Sequence, residues 1–326
     1  MNHVELAQRT ISRYGPKLPL HQLVERLNVL YHHFEAADYE FLHPEITQQL
    51  PPIWNEMIAA ARKLRGQQSW RVLDFGCGTG FATIQLLKGL RGAPVELLTC
   101  YDPSAEMLER CRAGIPRLYA HARFTNRLEM TSFDERYNTL VTNSVLHHMP
   151  NPMDAIEVLE EWLPPGTIWL CGHEPSNRYY RNAECQEVYK RFLRRRIAKR
   201  LISPSAYRQV LSGFTGLGRG PASRTAREAV RLGLMKRKPP PGVIERLVDF
   251  HSPRSTADAE SGRGFDIQDL EQVFMGRWRL EWYKSYSFLG PFYEGGQTKS
   301  WRRRATELAE KYPEDGANFC AVWVKQ

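Results

Sequence analysis

A glycine-rich stretch is the part of this sequence best suited to hold a ligand. Residues 72–80 read VLDFGCGTG, an apolar run that breaks into Gly76, Gly78 and Gly80 before the helical pattern FATIQLLKGL. This order predicts a strand, a glycine turn and a helix. Glycines let the backbone approach a ligand closely, and the first amides of a helix attract an anionic group. The stretch therefore predicts a site for a nucleotide-like ligand.

Two aspartates accompany the glycine turn. Asp74 ends the first predicted strand, where a carboxylate can accept hydrogen bonds from a cationic amine. Asp102 ends a second apolar run, 22 residues after Gly80 (102 − 80). An acidic residue about 20 residues beyond such a turn takes the ribose hydroxyls in dinucleotide-binding units. The spacing predicts the same use for Asp102.

Four side chains farther along are candidates for a general base: His147, His148, His173 and Glu174. A neutral imidazole accepts a proton near pH 7. For the paired histidines the alternative is a structural, hydrogen-bonded role, and for Glu174 it is a salt bridge to an arginine. Adjacent histidines are not spaced to share a helix face, and no acidic cluster completes a ligand set, so no metal is predicted.

The elements that position these residues alternate between strand and helix over residues 70–175. This alternation predicts an α/β protein with a doubly wound, mostly parallel sheet. Ligands of such sheets bind outside the carboxyl ends of the strands. The chain returns to the sheet after residue 263. The predicted strands are 71–75, 96–101, 122–124, 139–143, 167–171, 278–288 and 319–324, with C-terminal helices at 266–274 and 301–311.

Two helical regions flank the predicted core. The first is aromatic and shows helical periodicity, and the second is long, basic and punctuated by proline and glycine. The predicted division is an N-terminal helical lid (1–66), a ligand-binding core (67–175), an inserted cap (176–262) and a C-terminal part of the sheet (263–326).

The motifs resemble those of class I S-adenosylmethionine-dependent methyltransferases. Residues 74–80 match the family's first motif, E/D-x-G-x-G-x-G, and Asp102 with the following Pro103 and Met107 is similar to its second. Residues 137–149 and 166–174 look like its fourth and fifth strands. The resemblance implies a Rossmann-like seven-stranded sheet and S-adenosyl-L-methionine as the cofactor.

The resemblance also implies roles for individual residues. The first motif would hold the methionine end of the cofactor, Asp102 the ribose, Met107 and the region around Asn126 the adenine, and Asn143 the methionine amine or the acceptor. The predicted cofactor-binding residues are Asp74, Gly76, Cys77, Gly78, Gly80, Asp102, Pro103, Met107, Asn126 and Asn143. The predicted catalytic residues are Asn143, His148, Glu174, Tyr179 and Tyr180.

Methyl transfer to a small molecule in an enclosed pocket is the leading function that the resemblance implies. One alternative is closure of the cofactor on itself, as in azetidine-2-carboxylate synthases, which release methylthioadenosine; Asn143 and Tyr180 match their Asn and Tyr positions. Packing of Tyr179 and Tyr180 between cap and sheet competes with that interpretation. RNA methylation is a second alternative, supported only by charge. A non-enzymatic binder would not need an intact glycine turn with both acids.

Composition narrows the class of protein. Of 326 residues, 42% are hydrophobic and 25% charged, as in soluble globular proteins. No apolar run approaches the roughly 20 residues that cross a bilayer, and the start lacks a signal-peptide pattern, so a cytoplasmic location without membrane contact is expected. The net charge of +9 concentrates in residues 191–200 and 302–304. A solvated face or pocket rim explains such runs better than RNA binding does, and nothing in the sequence sets an oligomeric state.

The cysteines are scattered and include no C-x-x-C pair. Small buried residues in a reducing compartment are the expected interpretation, in preference to a zinc site or disulfides. The six are Cys77, Cys100, Cys111, Cys171, Cys185 and Cys320.

Overall fold

A seven-stranded sheet forms the centre of the protein. The computed structural model describes residues 2–128, 137–202, 220–291 and 297–326. The strands lie in the order β3-β2-β1-β4-β5-β7-β6. The first five are parallel, and β7 runs antiparallel to both of its neighbours. The strands are β1 (Trp70–Phe75), β2 (Val95–Tyr101), β3 (Arg123–Thr125), β4 (Thr139–Asn143), β5 (Ile168–Pro175), β6 (Trp278–Tyr286) and β7 (Asn318–Lys325).

Helices cover both faces of this sheet, which confirms the predicted doubly wound architecture. None of the helices in the described part of the chain is long and apolar enough to cross a membrane. They are α1 (His3–Ser12), α2 (Leu20–Glu35), α3 (Tyr39–Leu42), α4 (Pro44–Gln48), α5 (Leu50–Arg65), α6 (Phe81–Gly89), α7 (Ala105–Gly114), α8 (Pro152–Glu160), α9 (Arg178–Arg181), α10 (Ala183–Ile202), α11 (Pro221–Arg231), α12 (Pro241–Val248), α13 (Thr256–Glu260), α14 (Ile267–Val273) and α15 (Lys299–Lys311).

Side chains of the parallel strands alternate between two buried layers. On β1, Val72 packs into the layer under α5, α6 and α7, and Leu73 into the layer under α8 and α14. Successive residues of a strand face opposite sides of a sheet, so Asp74 shares the side of Val72. Cys100, its partner in the β1–β2 register, packs in that same layer. The direction of Asp74 is therefore set by the pleat.

The N-terminal segment and the inserted segment join in one helical unit, which we call the roof. It consists of α1, α2, α11 and α12, whose apolar faces form a single cluster that includes Leu23, Leu27, Ala226 and Leu247. Helix α5, within the segment predicted as the lid, instead packs on the sheet through Trp54 and Met57. Residues 203–219 of the predicted cap lie outside the described residues.

The predicted elements agree closely with the observed ones. Strand β4 has the predicted bounds, and the other strands differ mainly at their ends, with β5 continuing to Pro175. The predicted helix cap is also confirmed, because the Asp266 side chain accepts a hydrogen bond from the amide of Gln268 at 3.1 Å.

Candidate active site

The glycine turn adopts backbone angles that favour glycine. The φ angles of Gly76, Gly78 and Gly80 are 75°, 53° and 91°. A Cβ on Gly76 would lie 2.5 Å from Cγ2 of Val145, and one on Gly80 would lie 3.0 Å from Sγ of Cys111. A Cβ on Gly78 would have no atom within 4 Å. Packing thus explains the first and third glycines, whereas Gly78 faces open space in which a ligand fits.

Asp102 is anchored by the backbone around it. Its Oδ2 accepts the Gly78 amide at 2.9 Å and its Oδ1 accepts the Ser104 amide at 2.8 Å. Burial raises the pKa of Asp102, and the two backbone hydrogen bonds oppose that effect. A carboxylate has about four acceptor positions, so each oxygen keeps one for a ligand hydroxyl. The anchored geometry suits the predicted ribose contact.

Asp74 does not lie where the predicted role requires. It is fully buried, its Oδ2 accepts a hydrogen bond from the Thr83 hydroxyl of α6, and it does not line the pocket described below. Burial, together with the nearby Cys100, raises its pKa well above the ordinary value. The prediction that Asp74 holds the methionine amine is corrected by this placement: the pleat of β1 directs the carboxylate beneath α6.

A pocket of about 450 Å³ lies between the glycine turn, the end of β4 and the roof. This volume is within the usual range for small-molecule sites. Of the predicted residues it brings together Gly76, Cys77, Gly78, Asp102, Pro103, Met107, Asn143 and His148. The remaining ones, Asp74, Gly80, Asn126, Glu174, Tyr179 and Tyr180, do not line it.

One face of α2 forms a pocket wall that sequence reasoning missed. His21, Glu25, Asn28 and His32 line the pocket, and their spacing of four, three and four residues places them on one side of a helix. Four apolar residues of α2, Leu20, Leu23, Val24 and Leu27, pack in the roof instead. The polar stripe beside an apolar stripe can be read from the sequence, and it could have predicted this pocket wall.

Asn143 is oriented by a tryptophan. Its Oδ1 accepts a hydrogen bond from Nε1 of Trp54 at 3.1 Å. Because the indole N–H is only a donor, the amide oxygen must face it and Nδ2 is left to donate elsewhere. Ser144 Oγ lies 3.5 Å from that nitrogen. Asn143 therefore offers N–H groups, which suit a carboxylate or carbonyl rather than the predicted methionine amine.

Glu174 accepts hydrogen bonds from the turn that follows β4. Its Oε1 accepts the amides of Val145 and Leu146 at 2.9 and 3.0 Å, and its Oε2 accepts the amide of His147 at 3.1 Å and contacts His147 Nδ1 at 2.9 Å. Burial would lower the pKa of His147, but Glu174 raises it overall. The carboxylate is fully buried. Instead of acting as the predicted base, Glu174 positions the turn that carries His148.

His148 reaches the pocket as a neutral ring. Its Nδ1 lies 2.8 Å from the carbonyl oxygen of Val248 in α12, so Nδ1 carries the proton and Nε2 the lone pair. Burial, and then His147 and His32, lower the pKa of His148 well below its ordinary value. Among the described residues, Nε2 has no hydrogen-bond partner. An acceptor nitrogen thus remains for a ligand.

Tyr179 and Tyr180 lie in a different part of the molecule. Both are buried in a cluster that includes Phe288 and Leu308, under α9, α10 and α15. Their rings meet edge to face at 5.3 Å. Packing therefore explains both tyrosines. The prediction that they contact the cofactor is corrected, because neither lines the pocket. Asn126 is exposed just after β3.

A partly buried charged cluster connects α2 to α4 beside the pocket. Glu35 Oε1 lies 3.0 Å from His43 Nε2, and Glu45 Oε1 lies 3.1 Å from His43 Nδ1. Burial would raise the pKa of Glu35, but hydrogen bonds from His32 and His43 lower it to about 2. Burial would lower the pKa of His43, but its two carboxylate partners raise it to about 10. Tyr39, which lines the pocket, packs on the His43 ring at 4.7 Å.

This cluster predicts a pH-dependent effect of His43→Gln on thermal stability. The stabilisation from Glu35 is present above its unfolded pKa of 4.5 and is lost as the pH falls through about 2. That from His43 is present below 6.5 and is lost as the pH rises through about 10. The loss in Tm should therefore be largest between these unfolded values and vanish by pH 10. His21→Gln, on α2, is the control, and a constant loss in Tm from pH 5 to 10 would contradict the linkage.

The strand order is that of the class I methyltransferase fold, and the glycine-lined pocket lies beside the ends of β1 and β4. Residues 73–169 match the family model described as a methyltransferase domain.

A malonyl-[acyl-carrier protein] O-methyltransferase from Halalkalibacterium halodurans is 24% identical over 110 residues. The match covers 33% of this chain and 41% of that protein, so the chain spans less than half the length of this curated relative.

Solved structures give weaker likenesses. The plantazolicin methyltransferase BpumL in complex with SAH is 13% identical, with 94% of this chain and 99% of that chain covered and a TM-score of 0.43. The DhpI-SAM-HEP complex is 23% identical, with 48% and 67% covered and a TM-score of 0.35. TM-scores of this size do not establish a shared fold. The fold assignment therefore rests on the strand order and on the family-model match over residues 73–169.

Proposed function

We propose that this protein is an S-adenosylmethionine-dependent methyltransferase that acts on a small molecule enclosed between the sheet and the roof. The observation that carries the proposal is the pocket itself, because one wall is the glycine turn with Asp102 and the opposite wall is the polar face of α2. A cofactor site and an acceptor site are thus continuous, as a direct displacement requires.

The residues present fit the cofactor. Gly78 leaves space in which a ligand fits, Asp102 has free acceptor positions for the ribose hydroxyls, and Asn143 offers N–H groups to a carboxylate. Aromatic rings of Phe75 and Tyr101 stack at 5.1 Å in the pocket wall. Carboxylates and aromatic faces favour a cation. When bound, S-adenosylmethionine supplies a methyl group activated by a positively charged sulfur.

The groups left without partners on the acceptor side are hydrogen-bond acceptors. Asn28 is 9% exposed and its Nδ2 donates to the carbonyl oxygens of Val24 and His148, while its Oδ1 is buried with no partner in the described part of the chain. The Nε2 of His148 is available. The Oδ1 of Asn28 has no appreciable accessible surface, so Nε2 of His148 is the acceptor atom that a ligand in the pocket can reach. The pocket therefore favours an acceptor molecule that carries N–H or O–H donors.

The charges of the wall favour the same kind of molecule. Glu25 and Asp154 line the pocket and have no ion pair or hydrogen bond among the described residues. No lysine or arginine of the described chain lines it. An acceptor with a carboxylate would be repelled, whereas an amine would be attracted. We therefore propose an amine or another donor-rich group as the acceptor, in preference to an acid.

The residues of this chain would act by orienting the acceptor molecule. His148 Nε2 accepts a hydrogen bond from an N–H group of the acceptor molecule, which orients the lone pair of the acceptor nitrogen toward the methyl group. Glu25 and Asp154 attract a cationic part of the same molecule, and the roof excludes water.

Two measurements test this proposal separately. Isothermal titration should show binding of S-adenosylmethionine to the purified chain, and failure to bind would overturn the cofactor assignment. Thermal shifts in saturating S-adenosylhomocysteine should then compare phenethylamine, phenethyl alcohol and hydrocinnamate, which share a skeleton and differ in charge. The amine should stabilise most, with the preference reduced by Asp154→Asn but not by Glu157→Gln on the same helix. Equal shifts, no shift or a preference for the acid would overturn the acceptor class.

The structure gives less support to the two alternative functions, cyclisation of the cofactor and RNA methylation. Cyclisation of the cofactor rested on Tyr180 beside Asn143, and that tyrosine is buried outside the pocket. RNA methylation rested on the basic run of α10, where Arg191 pairs with Glu187 at 3.0 Å; steep salt dependence of RNA binding remains its test. A cytoplasmic location remains a prediction from the sequence.

A further inference from the structure

Three cysteines from distant parts of the chain meet beneath the glycine turn. Cys77 belongs to the turn, Cys100 to β2 and Cys111 to α7, and their sulfur atoms all lie within 4.8 Å of one another. All three are buried. A soft metal ion with metal–sulfur distances of about 2.3 Å holds its thiolates roughly 4 Å apart. The sulfur atoms are therefore close to the arrangement of a metal site without a change of fold.

A carboxylate oxygen without a partner lies beside this cluster. Asp74 pairs with Cys100 in the β1–β2 register, and its Oδ1 is buried with no hydrogen bond in the described part of the chain. Its Oδ2 accepts from the Thr83 hydroxyl, which also lies 3.7 Å from the sulfur of Cys100. A buried carboxylate oxygen without a partner is costly. A cation bound by the thiols would remove that cost.

Neighbouring positive side chains do not explain the cluster. Asp74 makes no ion pair with a lysine, arginine or histidine among the described residues. The layer around the three cysteines is apolar. Three thiols thus converge in an apolar layer, and a metal ion bound there would supply the positive charge that their ionised forms need.

We propose that Cys77, Cys100 and Cys111 form a binding site for a thiophilic d¹⁰ metal ion such as Zn²⁺, near the buried carboxyl group of Asp74. On binding, each thiol releases its proton to solvent and its sulfur forms a bond to the ion. Because Cys77 belongs to the glycine turn, the ion would tie the wall of the pocket to β2 and α7. The site is independent of the proposed acceptor and of methyl transfer itself.

Cadmium titration of the reduced, chelator-treated full chain tests the site. We expect one equivalent of Cd²⁺ to bind with thiolate charge-transfer absorption, and Zn²⁺ to displace it. Cys111→Ser should weaken binding on the order of 100-fold or more, whereas Cys185→Ser, a buried cysteine outside the cluster, should not. Absence of the absorption in the wild type, or equal binding by Cys111→Ser, would overturn the proposal.

A second measurement needs no variant. The folded wild-type chain is kept in iodoacetamide, in urea below its unfolding transition, with and without Cd²⁺, and labelling of each cysteine is read by mass spectrometry. Cys77, Cys100 and Cys111 should be protected together, at least 10-fold more than Cys171 and Cys320. Protection that falls equally on all cysteines, or on a different set, would overturn the assignment of the ligands.

Discussion

Gly78→Leu is expected to abolish binding of S-adenosylmethionine while the protein remains folded. Gly78 has a φ of 53° and no atom within 4 Å of its Cβ position, so a leucine side chain would fill the space assigned to the cofactor. The left-handed backbone itself costs a non-glycine residue roughly 1–2 kcal/mol. We expect affinity to fall by about 100-fold or more, equivalent to about 2.7 kcal/mol. Isothermal titration measures this directly.

A matched glycine separates the loss of space from backbone strain. Gly92 has a φ of 82°, also has no atom within 4 Å of its Cβ position, and does not line the pocket. Gly92→Leu should lower Tm about as much as Gly78→Leu and leave cofactor affinity unchanged. Normal binding by Gly78→Leu would show that the cofactor does not occupy this space.

Glu174→Ala is expected to cause the largest loss of stability. The substitution leaves three buried amides and the His147 ring without their acceptor. Breaking a buried, fully bonded charge costs about 3–5 kcal/mol. Because Glu174 raises the pKa of His147, the stabilisation that depends on His147 is fully present below its unfolded pKa and fades as the pH rises through the folded one. Urea unfolding at pH 6 and pH 9 should show the larger loss at pH 6.

Two further variants define this effect. Glu174→Gln keeps one carbonyl acceptor but places an NH₂ group among the donors, so it should be intermediate. Glu187→Ala removes a carboxylate of an exposed pair on α10 and should change stability by less than about 0.5 kcal/mol. A loss for Glu174→Ala no larger than that of Glu187→Ala would contradict the positioning role.

The parts predicted well from sequence are those fixed by local spacing. The glycine turn and Asp102 follow from a strand–turn–helix unit in which neighbours along the chain set the geometry. Strand periodicity likewise gave the bounds of β4. Asp74 was placed wrongly because a strand-end residue can face either layer, and only the observed pleat decides which.

The parts that sequence could not supply depend on contacts between distant segments. The three clustered cysteines show no metal-binding spacing, since they come from a turn, a strand and a helix that meet only after folding. The donor orientation of Asn143 depends on Trp54, which lies 89 residues earlier. Tyr179 and Tyr180 follow β5 in the sequence, where a contact with the cofactor was plausible. Helix α9, which contains them, instead packs both rings into a separate hydrophobic cluster.

The roof has a consequence for the order in which the protein can mature. Helix α2 is made early, yet the apolar faces that complete its cluster belong to α11 and α12, which follow nearly 200 residues later. Domains generally begin to fold during synthesis, from the N-terminus. The sheet can therefore assemble around β1 to β5 while the apolar stripe of α2 still lacks these partners. We expect the emerging chain to need protection at α2 until residue 248 has left the ribosome, so that the pocket is among the last features to form.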